Sequence, residues 1–234
     1  MGGTVWSLML FTLFIQASVG VFLISEITVG SLARNFKWGS IQPGHVHFHF
    51  LSLALCVSGI GISFLHLGSP QNAYHTLNNF HSSWLSREIF FVILFTVLLA
   101  VLFLLRWKKA LGSSTQRIIA VFACASGLIL IFSMSKLYML PTVPTWNNLG
   151  TPLVFFITTL LLGCQIFGLT FNVGVRRLRN LPLESNGFSA DWCQKTFGRI
   201  ILFSLALIVL QLSLSLLFYS RVISSLHVLI AGAP

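Results

Sequence analysis

Six long apolar stretches alternate with short polar ones along the chain, at residues 5–29, 44–67, 88–105, 118–138, 152–175 and 200–219. A helix needs about 20 apolar residues to cross roughly 30 Å of hydrocarbon, and all six are of that order. A further apolar stretch, residues 226–231, is too short to cross alone. No internal repeat and no Gly/Ser-rich linker divides the chain. The pattern predicts an all-α integral membrane protein, a bundle of six transmembrane helices forming one polytopic domain over residues 1–234.

Composition agrees and excludes whole classes of function. Of 234 residues 56% are hydrophobic and 8% charged, whereas a soluble domain carries about 25% charged residues. A water-facing surface cannot be built from this composition, and no room remains for a soluble catalytic domain. The acids are Glu26, Glu88, Glu184 and Asp191, so the net charge of +10 reflects scarce carboxylates as much as abundant bases. That basicity reads as membrane orientation and lipid contact, not nucleic-acid binding. The first, third and fifth connections hold Arg34, Lys37, Arg106, Lys108, Lys109, Arg117, Arg176, Arg177, Arg179, Lys195 and Arg199; the N-terminus, the second and fourth connections and the tail hold only Arg87 and Arg221, Lys136 falling within the fourth span. Eleven against two places the N-terminus outside, with the first span retained rather than cleaved as a signal peptide. The cluster Arg176-Arg177-Leu178-Arg179 is expected to anchor to anionic lipid, docking being the lesser reading. Cys56, Cys124, Cys164 and Cys193 form no close pairs, which argues against an iron–sulfur cluster or structural zinc.

The polar residues collect at the outer side. The second connection contains His66, Gly68, Pro70, His75, Asn78, Asn79, His81 and Trp84 before Arg87-Glu88; the fourth runs from Lys136 and Tyr138 through Trp146 to Pro152. His66 is expected in the last outer turn of the second span, Glu88 in the first outer turn of the third, and Lys136 and Tyr138 in the last outer turn of the fourth. Each has a plainer explanation. Gly68 and Pro70 end a helix and a His there complements its dipole, Glu88 sits where a carboxylate favours a helix start, Lys136 can snorkel, and Tyr138, Trp84 and Trp146 suit an interfacial belt. Four such groups from three helices at one depth favour a site, because ionisable groups in membrane segments are costly.

Other candidates are weaker. His45, His47 and His49 begin the second span on the inner side; with no carboxylate or Cys beside them in sequence they read as an interfacial polar cluster rather than a metal site. Glu26, with Gln16 deeper, is a poor proton relay by itself. Haem is not expected, since bis-histidine ligation needs His on two helices at matching depth and no His occurs between His81 and His227. A lipid-accessible outer pocket with a neutral His, a carboxylate, a Lys and a Tyr suits a quinone head group. Hydroquinone oxidation releases two protons, which His66 and Glu88 would accept, and the electrons would pass to an external acceptor. A small transporter is disfavoured by the missing repeat.

The stretches Leu65-His-Leu-Gly-Ser-Pro70, Ala73-Tyr-His-Thr-Leu-Asn78 and Leu85-Ser-Arg-Glu-Ile89 closely resemble the membrane anchor subunit of the bacterial anaerobic dimethyl sulfoxide reductases. Lys136-Leu-Tyr138, Thr142-Val-Pro-Thr-Trp146 and Thr151-Pro152 match a second signature of that family. The resemblance implies a multi-pass subunit of the bacterial inner (cytoplasmic) membrane without haem or iron–sulfur cluster. Such a subunit oxidises menaquinol in anaerobic respiration and passes electrons to an iron–sulfur subunit and a molybdopterin catalytic subunit. It places the quinol site on His66 and Glu88, with Lys136 at a position where Arg is expected, followed by Tyr138. It also implies eight spans where hydropathy shows six. The alternative reading is a structural anchor or assembly subunit without quinol chemistry.

Overall fold

The computed structural model describes residues 2–32, 42–65, 79–143, 145–179 and 190–231. They form six helices, α1 (Gly2–Leu32), α2 (Gln42–Ser63), α3 (Trp84–Trp107), α4 (Ser113–Tyr138), α5 (Gly150–Arg179) and α6 (Ala190–Ala231), and no strand occurs among the described residues. All six are long and apolar enough to cross a membrane.

Most helix ends fall a few residues from those that hydropathy predicts, three of them with physical consequences. The second helix ends at Ser63, not residue 67, closed by a turn in which the Leu65 amide donates to the Ile62 carbonyl at 3.0 Å. Ser63 Oγ donates to the Ile60 carbonyl at 2.7 Å, the kind of side-chain bond that competes with helix continuation. The third helix begins at Trp84, four residues before the expected start. Ser83 caps it, its side chain accepting from the Ser86 amide, so Glu88 is no cap. The sixth helix runs unbroken over 42 residues, absorbing the short apolar stretch that cannot cross alone.

α1 is the central helix: 72% of its span is buried, against 11% for α6. It packs on α2, α4 and α5, while α3 packs on α2 and α4, and α6 on α5. The crossing of α1 and α5 depends on two glycines in backbone contact. A Cβ on Gly20 would lie 2.0 Å from the Thr159 carbonyl oxygen, and one on Gly163 2.4 Å from the Gly20 carbonyl carbon. Such close approach supplies van der Waals contact where lipid gives no hydrophobic drive between helices.

Across the core from α1, α3 presents the buried stripe Glu88, Val92, Phe95, Leu99, Leu102 and Arg106. The spacing alternates four and three, so one face of the helix is apolar in the middle and charged at both ends. Phe95 meets Phe22 edge to face at 5.8 Å. α3 and α4 join through a tight turn with Lys109 and Leu111 at φ 51° and 65°. Gln116, buried at the start of α4, donates from Nε2 to the carbonyls of Ala110 and Leu111 at 3.0 and 3.3 Å and holds that left-handed backbone.

Gly163→Val is expected to destabilise the protein by roughly 3 kcal/mol or more, because backbone cannot retreat as a side chain does. Gly168→Ala, whose new methyl would meet Ile200 at 3.5 Å, should be tolerated. Thermal unfolding of both variants in detergent checks the contrast.

Candidate functional site

The outer end of the bundle is the end assigned outward by the basic residues. Its depth scale comes from one contact layer: a Cβ on Gly127 would touch Val19 at 3.1 Å and Phe95 at 3.2 Å. Seven residues outward along each helix, about 10 Å, lie Thr12 on α1, Glu88 on α3 and Met134 on α4. Tyr138 is one turn farther out. Glu88 and Thr12 thus share one layer of the bundle, with Tyr138 a turn beyond it. His66 lies outside the described residues.

Glu88 is buried, 5% exposed, with no hydrogen-bond or ion-pair partner among the described residues. Arg87 does not supply one. It folds back on the preceding loop, donating from Nε to the Phe80 carbonyl at 3.1 Å and from Nη2 to the His81 carbonyl at 2.6 Å, with its guanidinium 4.2 Å from the Trp84 ring centroid. Lys136 and Tyr138 are two residues apart on α4, which turns their side chains to nearly opposite faces. Lys136 Nζ lies 5.4 Å from the Phe132 ring and 6.0 Å from the Trp84 ring, a cation–π arrangement rather than an ion pair with Glu88. Tyr138 Oη lies 3.1 Å from Thr12 Oγ1 on α1, its ring 5.1 Å from Phe155 on α5. Trp84 thus joins two basic side chains, beyond the belt role expected of it. Trp146 is half exposed and 6.5 Å from Tyr138.

The connection that carries Trp146 is built locally. Asn148 Oδ1 accepts from the Gly150 amide at 2.7 Å, starting α5, while Thr151 Oγ1 donates to the Trp146 carbonyl at 2.6 Å.

The inner end holds a charged cluster that the sequence pattern did not indicate. Arg106, counted among the loop cations by its position, is 5% exposed. It donates from Nη1 to Glu26 Oε1 at 2.6 Å and from Nη2 to Oε2 at 3.3 Å, the bidentate geometry that favours arginine over lysine. His49, fully buried, places Nε2 2.9 Å from the same Oε1 and 2.9 Å from Arg106 Nη1. A lone pair on Nε2 would oppose the carboxylate. With the hydrogen on Nε2, both nitrogens donate to one oxygen, and Phe22 packs edge-on against the imidazole at 5.3 Å. Glu26 is therefore not isolated, and His49 belongs to the core rather than to the interface, where His47 is exposed. The side chain of His45 lies outside the described residues. The one cue in the sequence was a carboxylate near the end of the first span with a His and an Arg at comparable depth on two others.

The profile of the DMSO reductase anchor subunit (DmsC) family matches residues 1–183. The chain belongs to this anchor subunit family. It is 33% identical over 158 residues to the anaerobic dimethyl sulfoxide reductase chain YnfH of Escherichia coli, covering 68% of this chain and 54% of that protein. It is 31% identical over 154 residues to a second anaerobic dimethyl sulfoxide reductase chain of the same organism, covering 65% and 53% respectively. It is also similar to a sulfite dehydrogenase subunit of Allochromatium vinosum, 29% identical over 100 residues, covering 42% of this chain and 29% of that protein. The chain spans about half the length of the two Escherichia coli relatives. No solved structure matches it. The matched region of this anchor subunit includes His66, along with Glu88, Lys136 and Tyr138 at the outer end and Glu26, His49 and Arg106 at the inner.

Glu26→Gln leaves Arg106 buried without its counter-charge and is expected to cost about 3–5 kcal/mol. The double variant Glu26→Gln/Arg106→Met should lose less than the two single variants together. Denaturation of the four proteins in detergent, read as a double-mutant cycle, measures the coupling.

Proposed function

We propose that this membrane anchor oxidises menaquinol at its outer end and passes the electrons to partner subunits of a DMSO reductase-type complex in the bacterial inner membrane. The observation that supports this reading most directly is the buried Glu88 carboxyl at the outer end of α3, with no partner among the described residues to occupy it. Burying such a group costs several kcal/mol unless something compensates, and among the described residues no capping or ion-pair role accounts for it.

In this mechanism the head group binds at the outer end of the bundle, beside Glu88. Menaquinol gives up two protons and two electrons. His66 and the Glu88 carboxylate accept one proton each, Lys136 or Tyr138 hydrogen-bonds an oxygen of the head group, and the resulting menaquinone leaves sideways into lipid. The electrons pass to an iron–sulfur subunit docked over the outer loops, then to a molybdopterin catalytic subunit, whose metal site selects the terminal acceptor. The protons leave on the outer side.

A second reading, a structural anchor without quinol chemistry, draws support from Lys136, which rests on Trp84 and Phe132 instead of facing Glu88. The two readings diverge on His66→Ala and Glu88→Gln in the assembled, membrane-bound complex. Loss of a positioned general base lowers quinol-driven turnover by about 100-fold, while turnover with an artificial donor to the catalytic subunit stays unchanged. Full quinol-driven turnover in both variants would sink the quinol site and leave the structural anchor.

A further inference from the structure

Tyr138 Oη is 3.1 Å from Thr12 Oγ1, and that distance alone leaves the direction of the hydrogen bond open. The surroundings of Thr12 decide it. Thr12 Oγ1 is also 2.9 Å from the Leu8 carbonyl oxygen, one turn earlier in α1. A hydroxyl has one hydrogen and two lone pairs, and a carbonyl oxygen only accepts. If Thr12 gave its hydrogen to Tyr138, two oxygens would face each other at 2.9 Å with no hydrogen between them. Thr96, Thr158, Thr159 and Thr170 make the same bond to the carbonyl four residues back, at 2.6 to 2.8 Å. Thr12 therefore donates to Leu8, and Tyr138 donates to Thr12.

The consequence concerns the ligand. Thr12 is buried and Tyr138 half-buried, so the phenolic hydrogen is committed to the bundle interior and only lone pairs are left for a ligand. Quinol hydroxyls donate, and quinone carbonyls only accept. We infer that Thr12 is a positioning residue that holds Tyr138 as a hydrogen-bond acceptor and so biases the outer site toward the reduced, quinol form of its substrate over the oxidised product. This rests on the quinol reading above and adds a residue and a direction of selectivity to it.

The test uses the assembled complex in membranes with a short-chain naphthoquinol as donor and the matching naphthoquinone as inhibitor. Thr12→Val keeps the shape and removes the acceptor, which releases the tyrosine hydrogen toward the ligand. The ratio of the naphthoquinone inhibition constant to the naphthoquinol KM should fall about fivefold, the weight of one neutral hydrogen bond. Thr12→Ser, which keeps both bonds, should retain the wild-type ratio. An unchanged ratio in Thr12→Val while Tyr138→Phe shifts it would overturn the role of Thr12, as would equal shifts in Thr12→Val and Thr12→Ser, which would report packing instead of polarity. If Tyr138→Phe and Glu88→Gln both leave quinol-driven turnover and the ratio untouched, the quinol site itself has failed and this inference falls with it.

Discussion

A guanidinium inside a membrane bundle must find a carboxylate, and the pairing of Arg106 with Glu26 sets the geometry of everything on α3. The two residues are 80 positions apart in sequence and sit on helices that face each other across the core, so their bidentate contact fixes the rotation of α3 about its own axis. Eighteen residues separate Arg106 from Glu88, which is five turns of helix and about 27 Å. A whole number of turns means that both project from the same side. With Arg106 held toward α1, Glu88 must also face the core. His49 donates to the same carboxylate from α2, so three helices share one acceptor, and the desolvation of Arg106 is offset by charge and hydrogen bonds together.

The remaining architecture follows from the need to bring polar side chains to α1. The helix can approach α5 to backbone contact only because Gly20 and Gly163 lack side chains, and that proximity places Phe155 of α5 against Tyr138 while Tyr138 reaches Thr12. α1 thus contributes to both ends, with Thr12 at the outer and Glu26 at the inner. α6 stands apart, resting on α5 with mostly exposed apolar side chains. The family match ends at residue 183, before α6 begins. The part of the chain that matches the family is the part that builds both polar clusters.

The number of helices was legible in the sequence because hydropathy over about 20 residues is a strong local signal. What hydropathy cannot register is direction about the helix axis and partnership across the core. Arg106 counted as a loop cation because it ends the third apolar stretch; its burial is set by Glu26, which no local window contains. His49 was grouped with His45 and His47, although a residue four positions into a span can turn inward while its neighbour His47 turns out. Glu88 suited a capping role until Ser83 proved to be the cap. The separation of Lys136 from Tyr138 was available from helical periodicity alone, since residues two apart point in nearly opposite directions. The hydrogen-bond direction at Tyr138 was not, because it depends on a carbonyl of α1.

Between the two charged ends the interior is polar but closed. Ser18 and Ser52 satisfy one another, each hydroxyl donating to the other residue's carbonyl at 2.7 and 2.8 Å, and Cys56 pairs with Thr96 at 3.1 Å. Ser126, Ser133, Ser135 and Thr159 donate to carbonyls of their own helices. These bonds stitch helices together or satisfy groups locally, and among the described residues no carboxylate or imidazole stands between Glu88 and the Glu26 cluster. The hydroxyls of Ser126, Ser133, Ser135 and Thr159 are thus committed to backbone oxygens, and Phe22, Phe95 and Leu99 belong to the apolar core between the two ends. What the inner cluster supplies to the Glu88 end is a fixed rotation of α3 about its axis.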